Sequence, residues 1–263
     1  MKFTMTGEIY NFLNGLSAKW LEGVLLRDLK ENSVFSYKPV ANIVWNRIVV
    51  EGEHFLYREG ENVYYMFAYK SRYATVYWND LPRFHTEVCR TRVEFPNFDY
   101  ASQMPVDIFC SDRNILLIDQ RLKFCRNCNR ERNFFTFGTR YDSWDEVVMD
   151  IAEQKSKMGY LDSEVRSDGY TMDWQHVSYA VRAQMNFECE VCSIKLIDND
   201  LFYLEVHHRN YDRRNNSKSN LKVLCVECHS RVDEKHIQNY ARGEGKRKLA
   251  AFRMRFKRAL SGL

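Results

Sequence analysis

Two cysteine knuckles constrain this chain more than any other feature. Cys189 and Cys192 form one Cys-x-x-Cys pair, and Cys225 and Cys228 form a second. Between them lie a strand-like run, Leu204-Glu205-Val206-His207-His208, and an Asn220-Leu221 pair; His229 follows the last cysteine directly. The two thiolates of a knuckle can reach one tetrahedral ion, and two knuckles complete a closed four-sulfur zinc site. Such a site holds structure and offers no open position for chemistry. The histidines and the asparagine therefore need a separate explanation.

Composition narrows the setting. With 263 residues, 45% apolar and 14% aromatic, the chain has room for one large domain or, more typically, two with ordinary cores. It has no apolar run of about 18 residues, so no membrane span is expected. The start, MKFTMTGEIYNFLNGL, lacks the apolar core and small-residue cleavage site of an export signal. The eight cysteines then read as metal-binding thiolates rather than disulfides, and a cytoplasmic location is expected. Charge is uneven: residues 173–263 carry 17 Lys+Arg against 11 Asp+Glu, a balance of +6, and the rest of the chain sums to −2. That is the electrostatic footprint expected of a polyanion-binding end, although a balance of +6 alone is unremarkable.

Taken in order, the first knuckle, Leu204 to His208, Asn220-Leu221 and Leu224-Cys225-Val226-Glu227-Cys228-His229 resemble the HNH (His-Asn-His) endonucleases of the zinc-knuckle type, which include restriction and phage-defence-like bacterial enzymes. The resemblance covers roughly the last third of the chain. It implies a ββα-metal fold built on the four-cysteine zinc (Cys189, Cys192, Cys225, Cys228), and hydrolysis of phosphodiester bonds in DNA by nicking or double-strand cleavage. It also implies that His208 is the general base and that His207 and His229 bind one catalytic divalent ion, Mg²⁺ or another. Asn220 would bond loop backbone and hold the base in orientation. A neutral imidazole, with an ordinary pKa of about 6.5, suits the task of taking a proton from water. Adjacent strand residues point to opposite faces, so His207 and His208 can serve together only where the strand bends into its loop. Asn215 or Asn216 would contact substrate or cap the turn. The helix of the unit is expected over 229–239; His236 falls on about the face of His229, where an accessory ligand is the alternative to the preferred reading as a solvated or packing side chain. Two rivals stand beside this reading: a nuclease directed at RNA, and a zinc ribbon that binds nucleic acid or protein without catalysis.

Upstream, residues 16–31 read as an amphipathic helix capped by Ser17. Strand-like runs at 43–50, 54–58, 63–69 and 74–78 make a meander rich in aromatic and β-branched residues, which are expected in the core. His54 reads as an ordinary strand residue. His85 and Cys89 would share a face if their segment were one helical turn, and Cys125 and Cys128 form another knuckle. One imidazole and three thiolates make a structural zinc set, so His85, Cys89, Cys125 and Cys128 are expected to hold a second zinc. The rival reading is a redox pair at Cys125/Cys128, but the strand–helix context of a thioredoxin motif is missing. Cys110 reads as a small buried apolar residue.

Helices are expected over 142–158, capped by Asp142 or Ser143, and from Asp173 into the first knuckle, with His176 a surface or packing residue. A polar stretch near Asp168-Gly169 marks the expected boundary between a recognition or regulatory domain, 1–168, and a nuclease domain, 169–263. The tail from Ala241 carries eight Lys/Arg and one Glu, with Leu249, Phe252, Phe256 and Leu260 at helical spacing. Its apolar face would dock and its charges would follow phosphates, rather than lie on a membrane surface or stay solvated. Arg209, Arg213, Arg214, Lys246, Arg247, Lys248, Arg253 and Lys257 are the expected nucleic-acid contacts. The fold class expected is α+β: a C-terminal ββα-metal domain and an N-terminal mixed domain with a β-meander and a second zinc. The partner expected is DNA, with RNA as the alternative, together with a protein partner or activator and no membrane.

Overall fold

The computed structural model describes residues 43, 47–51, 54–74, 81–87, 89–91, 97–128 and 141–256. The helix expected over 16–31, most of the run at 74–78, and Lys257 and Leu260 lie outside them. The described residues form a mixed α+β fold with small sheets, and their contacts gather into two compact units. Of the described residues, the larger comprises those within 43–186 and 206–223, and the smaller those within 187–205 and 224–256.

In the larger unit, β1 (Val49–Glu51), β2 (His54–Glu59), β3 (Asn62–Tyr69) and β5 (Asp99–Ala101) form an antiparallel sheet in the order β1-β2-β3-β5. A second sheet pairs β6 (Val106–Cys110) with β7 (Ile115–Gln120) and, in parallel, with β4 (Arg72–Tyr73). β3 carries the core: Tyr64, Tyr65, Met66, Phe67 and Tyr69 are each no more than 2% exposed. A strand buried on both faces needs this near-continuous apolar run, and tyrosine fits only where its hydroxyl finds a partner. The Tyr65 hydroxyl donates a hydrogen bond to Asp173 at 2.8 Å, and its backbone N–H donates to His176 Nδ1 at 3.1 Å.

Those partners sit at the start of α2 (Trp174–Gln184), which packs on α1 (Trp144–Met158) and on β3. Ser143 caps α1, its side chain accepting from the Glu146 N–H, while Asp145 and Glu146 occupy the positive end of the helix dipole. Trp144, Val147, Val148 and Ile151 are buried, and Trp144 meets Phe67 edge-on at 5.3 Å. His176 is not a surface residue: it is 1% exposed, and burial lowers its pKa to about 3.

The strand β8 (Leu204–His208) and β9 (Leu221–Cys225) form a two-stranded sheet. In the smaller unit, α3 (Val226–His229) and α4 (Glu234–Tyr240) each pack against α5 (Gly243–Arg255). The helix expected over 229–239 is therefore two short pieces, divided where Asp233 caps α4 by accepting from the His236 N–H. Tyr203, Leu204, Leu224, Leu249 and Phe252 are buried, and Phe252 meets Tyr203 edge-on at 5.4 Å. Phe256 extends this stripe, its ring 4.8 Å from Phe252. Gly245 permits the α4–α5 approach, because a Cβ there would lie 2.7 Å from the Asn239 carbonyl oxygen.

Candidate metal centres and hydrolytic site

Within the units, two donor groups among the described residues can hold a metal ion, each with its donor atoms within 4.8 Å: His85, Cys89, Cys125 and Cys128; and Cys189, Cys192, Cys225 and Cys228.

The four-cysteine group is built by local backbone. Ser193 adopts a left-handed φ of 57° and its N–H returns to the Cys189 carbonyl at 2.8 Å, which folds the first knuckle over. In the second, Cys225 caps α3, its sulfur accepting from the Cys228 N–H at 3.5 Å. The sulfurs of Cys192 and Cys225 lie 3.6 Å apart. A tetrahedral zinc with Zn–S bonds of about 2.3 Å sets its sulfurs roughly 3.8 Å apart, whereas a disulfide holds them at about 2.05 Å. The spacing fits zinc and excludes a disulfide. Hydrogen bonding from Cys225 draws the Cys189 thiol down to about 4, while the same contact pushes Cys225 far up. Crowded thiols can ionise together only around a cation.

The second group assembles differently from the helical turn expected for it. Phe84 and His85 are bridge residues: Phe84 pairs with Phe124, and His85 exchanges both backbone hydrogen bonds with Ala68 of β3 at 2.7 and 2.8 Å. Phe84 also receives the Cys125 N–H at 2.9 Å, which seats the knuckle beside the histidine. His85 Nδ1 then lies 3.2 Å from Cys89 and 3.6 Å from Cys128, and Cys89 lies 4.0 Å from Cys125. All four residues are buried. Their donor set and spacing fit a structural zinc. Cys110 stands apart, 1% exposed, its thiol donating to Asp112 at 2.8 Å.

The larger unit contains His207, His208 and the loop after them. His207 is 7% exposed and meets Tyr211 edge-on. His208 is 5% exposed, with its ring 4.5 Å from Trp174. Its Nε2 lies 3.1 Å from Asn216 Oδ1. The Asn216 amide is oriented by its other end, where Nδ2 donates to Thr171 Oγ1 at 2.8 Å and to Tyr160 Oη at 3.3 Å. His208 Nε2 must then carry the proton, which leaves Nδ1 as the basic nitrogen. Burial lowers the His208 pKa, with Asn216 opposing the shift, so the ring is neutral at pH 7. Asn220 closes the loop from both sides: its Oδ1 accepts from the Asn210 N–H at 3.0 Å and its Nδ2 donates to the Asn215 carbonyl at 2.7 Å. Asn216 neither faces solvent nor simply caps the turn; it is fully buried behind His208.

The smaller unit contains His229, whose Nδ1 lies 2.6 Å from Glu205 Oε2. Burial alone would raise the Glu205 carboxyl, but Lys248, at 2.6 Å, and His229 hold it well below its ordinary range. Tyr240 donates to the same carboxylate. Glu205 thus accepts a hydrogen bond at His229 Nδ1, the carboxylate partner that metal-binding imidazoles commonly have. It shares a strand face with His207 at i and i+2, a spacing legible in the sequence. His236, expected to be a solvated or packing side chain, lies beside His229, ring centres 4.5 Å apart, with its Nδ1 2.8 Å from Asp233.

The expected phosphate contacts differ in their surroundings. Lys248 is held by Glu205, and Arg253 makes a two-pronged pair with Glu227 at 2.6 and 2.9 Å. Arg213 stacks over Tyr170 and donates to the Asp168 carbonyl, and Arg214 pairs with Asp162 at 3.0 Å. Arg209, Lys246 and Arg247 are exposed.

No protein-family model matches the chain, and no solved structure matches it. Among curated proteins it is similar to Zorya protein ZorE of Escherichia coli (strain ATCC 8739), with 26% identity over 165 residues. The alignment takes in 56% of this chain and 44% of that protein, so the chain covers less than half the length of the relative it matches.

Proposed function

We propose that the chain is a metal-dependent HNH endonuclease that hydrolyses phosphodiester bonds in DNA, with 169–263 as its ββα-metal nuclease domain and 1–168 as its recognition or regulatory domain. One observation carries the reading: His208 is a neutral, buried imidazole whose Nε2 proton is directed to Asn216, which leaves Nδ1 as an acceptor. An inert zinc ribbon has no use for that arrangement.

In this reading, His208 Nδ1 takes the proton of the attacking water, and Asn220 holds the loop that aims it. His207 and His229 would hold the catalytic divalent ion, whose chemistry would be to stabilise charge on the phosphate and the leaving oxygen. Glu205 fixes the His229 ring for that task. Arg209, Lys246 and Arg247 offer charge to phosphates, and Arg213, Arg214, Lys248, Arg253 and Lys257 complete the proposed contact set. Restriction or phage defence in the cytoplasm, with a protein partner or activator, is the setting the resemblance implies. The similarity to ZorE supports kinship over part of both chains.

The test is nicking of supercoiled plasmid by the purified chain with Mg²⁺, Mn²⁺ or Ni²⁺, beside His208→Ala, with matched RNA as a second substrate. Loss of a general base costs about 10²–10⁴-fold. Zinc content and circular dichroism must be unchanged in the variant. Equal cleavage by both proteins would remove His208 from the mechanism.

A further inference from the structure

The larger unit holds a second concave site, apart from the histidines. It is an open cavity of about 680 Å³ beside the His85 group, a size suited to a small ligand. Lys70, Arg72, Arg83 and Arg126 line it together with the rings of Tyr73 and Phe98, and its described lining contains no carboxylate. These cations come from the end of β3, from β4, from the segment before His85 and from the Cys125/Cys128 knuckle, so the fold rather than the sequence brings them together.

The site is partly preorganised. Arg72 stands 5.3 Å over the Phe109 ring, and Lys70 Nζ stands 4.5 Å over Phe98, so cation and ring surface lie side by side. Asn127, also in the lining, is held to Thr91 at 2.9 Å. His85 and Cys125 form part of the wall, so a metal in that group would stiffen the shelf that carries Arg126. Three thiolates around Zn²⁺ leave one negative charge, and four cations outweigh it. Burial lowers the Lys70 pKa, opposed by nearby Asp99, and Lys70 Nζ donates to the Asn97 carbonyl at 2.9 Å, which fixes its position.

We propose that this cavity binds a phosphorylated nucleoside, with its phosphate among Arg72, Arg83, Arg126 and Lys70 and its base against Tyr73 and Phe98. Cations alone would suit any phosphate; the adjoining ring surfaces and the volume select a ligand that also has a planar base. The ligand is either one nucleotide of a single strand or a free mononucleotide. The proposal rests on the cavity and not on the nuclease reading.

The experiment is photo-cross-linking of the full chain carrying His208→Ala, without added divalent ion, to a ten-nucleotide strand containing 5-iododeoxyuridine. A second arm uses 5-iodo-dUMP, and cross-linked peptides are mapped by mass spectrometry. Cross-links are expected on the peptides bearing Tyr73 or Phe98. Arg72→Glu with Arg126→Glu should lower their yield about tenfold or more, as expected when charge-assisted contacts are lost. Arg72→Lys with Arg126→Lys should keep most of it. Both variants must retain their zinc and circular dichroism. Cross-linking by the strand alone assigns the site to a nucleotide within a strand; cross-linking by 5-iodo-dUMP as well shows that a free nucleotide suffices. Yield unchanged by charge reversal, or cross-links confined to residues outside 70–127, would overturn the proposal.

Discussion

The larger unit has a deep aromatic core: Tyr64, Tyr65, Phe67, Phe84 and Trp144 pack among β3, α1 and α2, and the His85 group lies at one side of it. In the smaller unit the described residues show a short stripe of buried side chains, and a four-cysteine group links 187–205 to 224–256. Where such a stripe is short, a structural metal can take over part of a core's role. Similar donor chemistry therefore has two uses. In the smaller unit a bound metal would stand in for part of a core; in the larger it would fix a wall of a cavity that the core already supports.

The largest effect should come from breaking that contrast at the metals. Cys225→Ser should unfold the smaller unit, because structural zinc contributes about 10–16 kcal/mol in small metal-folded domains. Cys128→Ser should release the other metal yet leave β2 and β3 folded. Hydrogen exchange with zinc analysis reads both, and protected amides across 243–255 in Cys225→Ser would refute the contrast.

A smaller effect is expected at Asn216, where a polar side chain does in the larger unit what metal does in the smaller. Asn216→Leu removes the partner of His208 Nε2, Thr171 and Tyr160. It should lower the stability of that unit by about 1–3 kcal/mol and reduce kcat for nicking about ten- to a hundredfold, with KM nearly unchanged. Equal loss in kcat and in substrate binding would point to a general structural role.

The most gradual effect, absent near neutral pH, is acid sensitivity at His176. Its folded pKa, about 3, lies below the ordinary 6.5, so the unfolded chain binds more protons between those values. The stability it contributes is complete above pH 6.5 and is lost as pH falls toward 3, at up to about 1.4 kcal/mol per pH unit. His176→Phe should flatten this slope in acid denaturation of the larger unit, and an unchanged slope would assign it elsewhere.

Much of the site was legible because it is local. Knuckle spacing, the His207-His208 pair and the Ser143 cap are properties of neighbouring residues. His85 was legible as a donor but not in its geometry, since a bridge to Ala68 replaces the expected helical turn. Asn216 could not be told from Asn215, because the difference depends on Thr171 and Tyr160, distant in the chain. Helical spacing already places His236 on about the face of His229, and the two rings do meet, although a break divides their short helices.

The sequence by itself determined which residues can hold metal, where the basic charge gathers and where α1 begins, since each follows from side-chain chemistry at short spacing. Only the tertiary structure decided which nitrogen of His208 is basic, which carboxylate steadies His229, and that Lys70, Arg72, Arg83 and Arg126 share one cavity. Those outcomes depend on strand register and long-range hydrogen bonds, which no local pattern encodes.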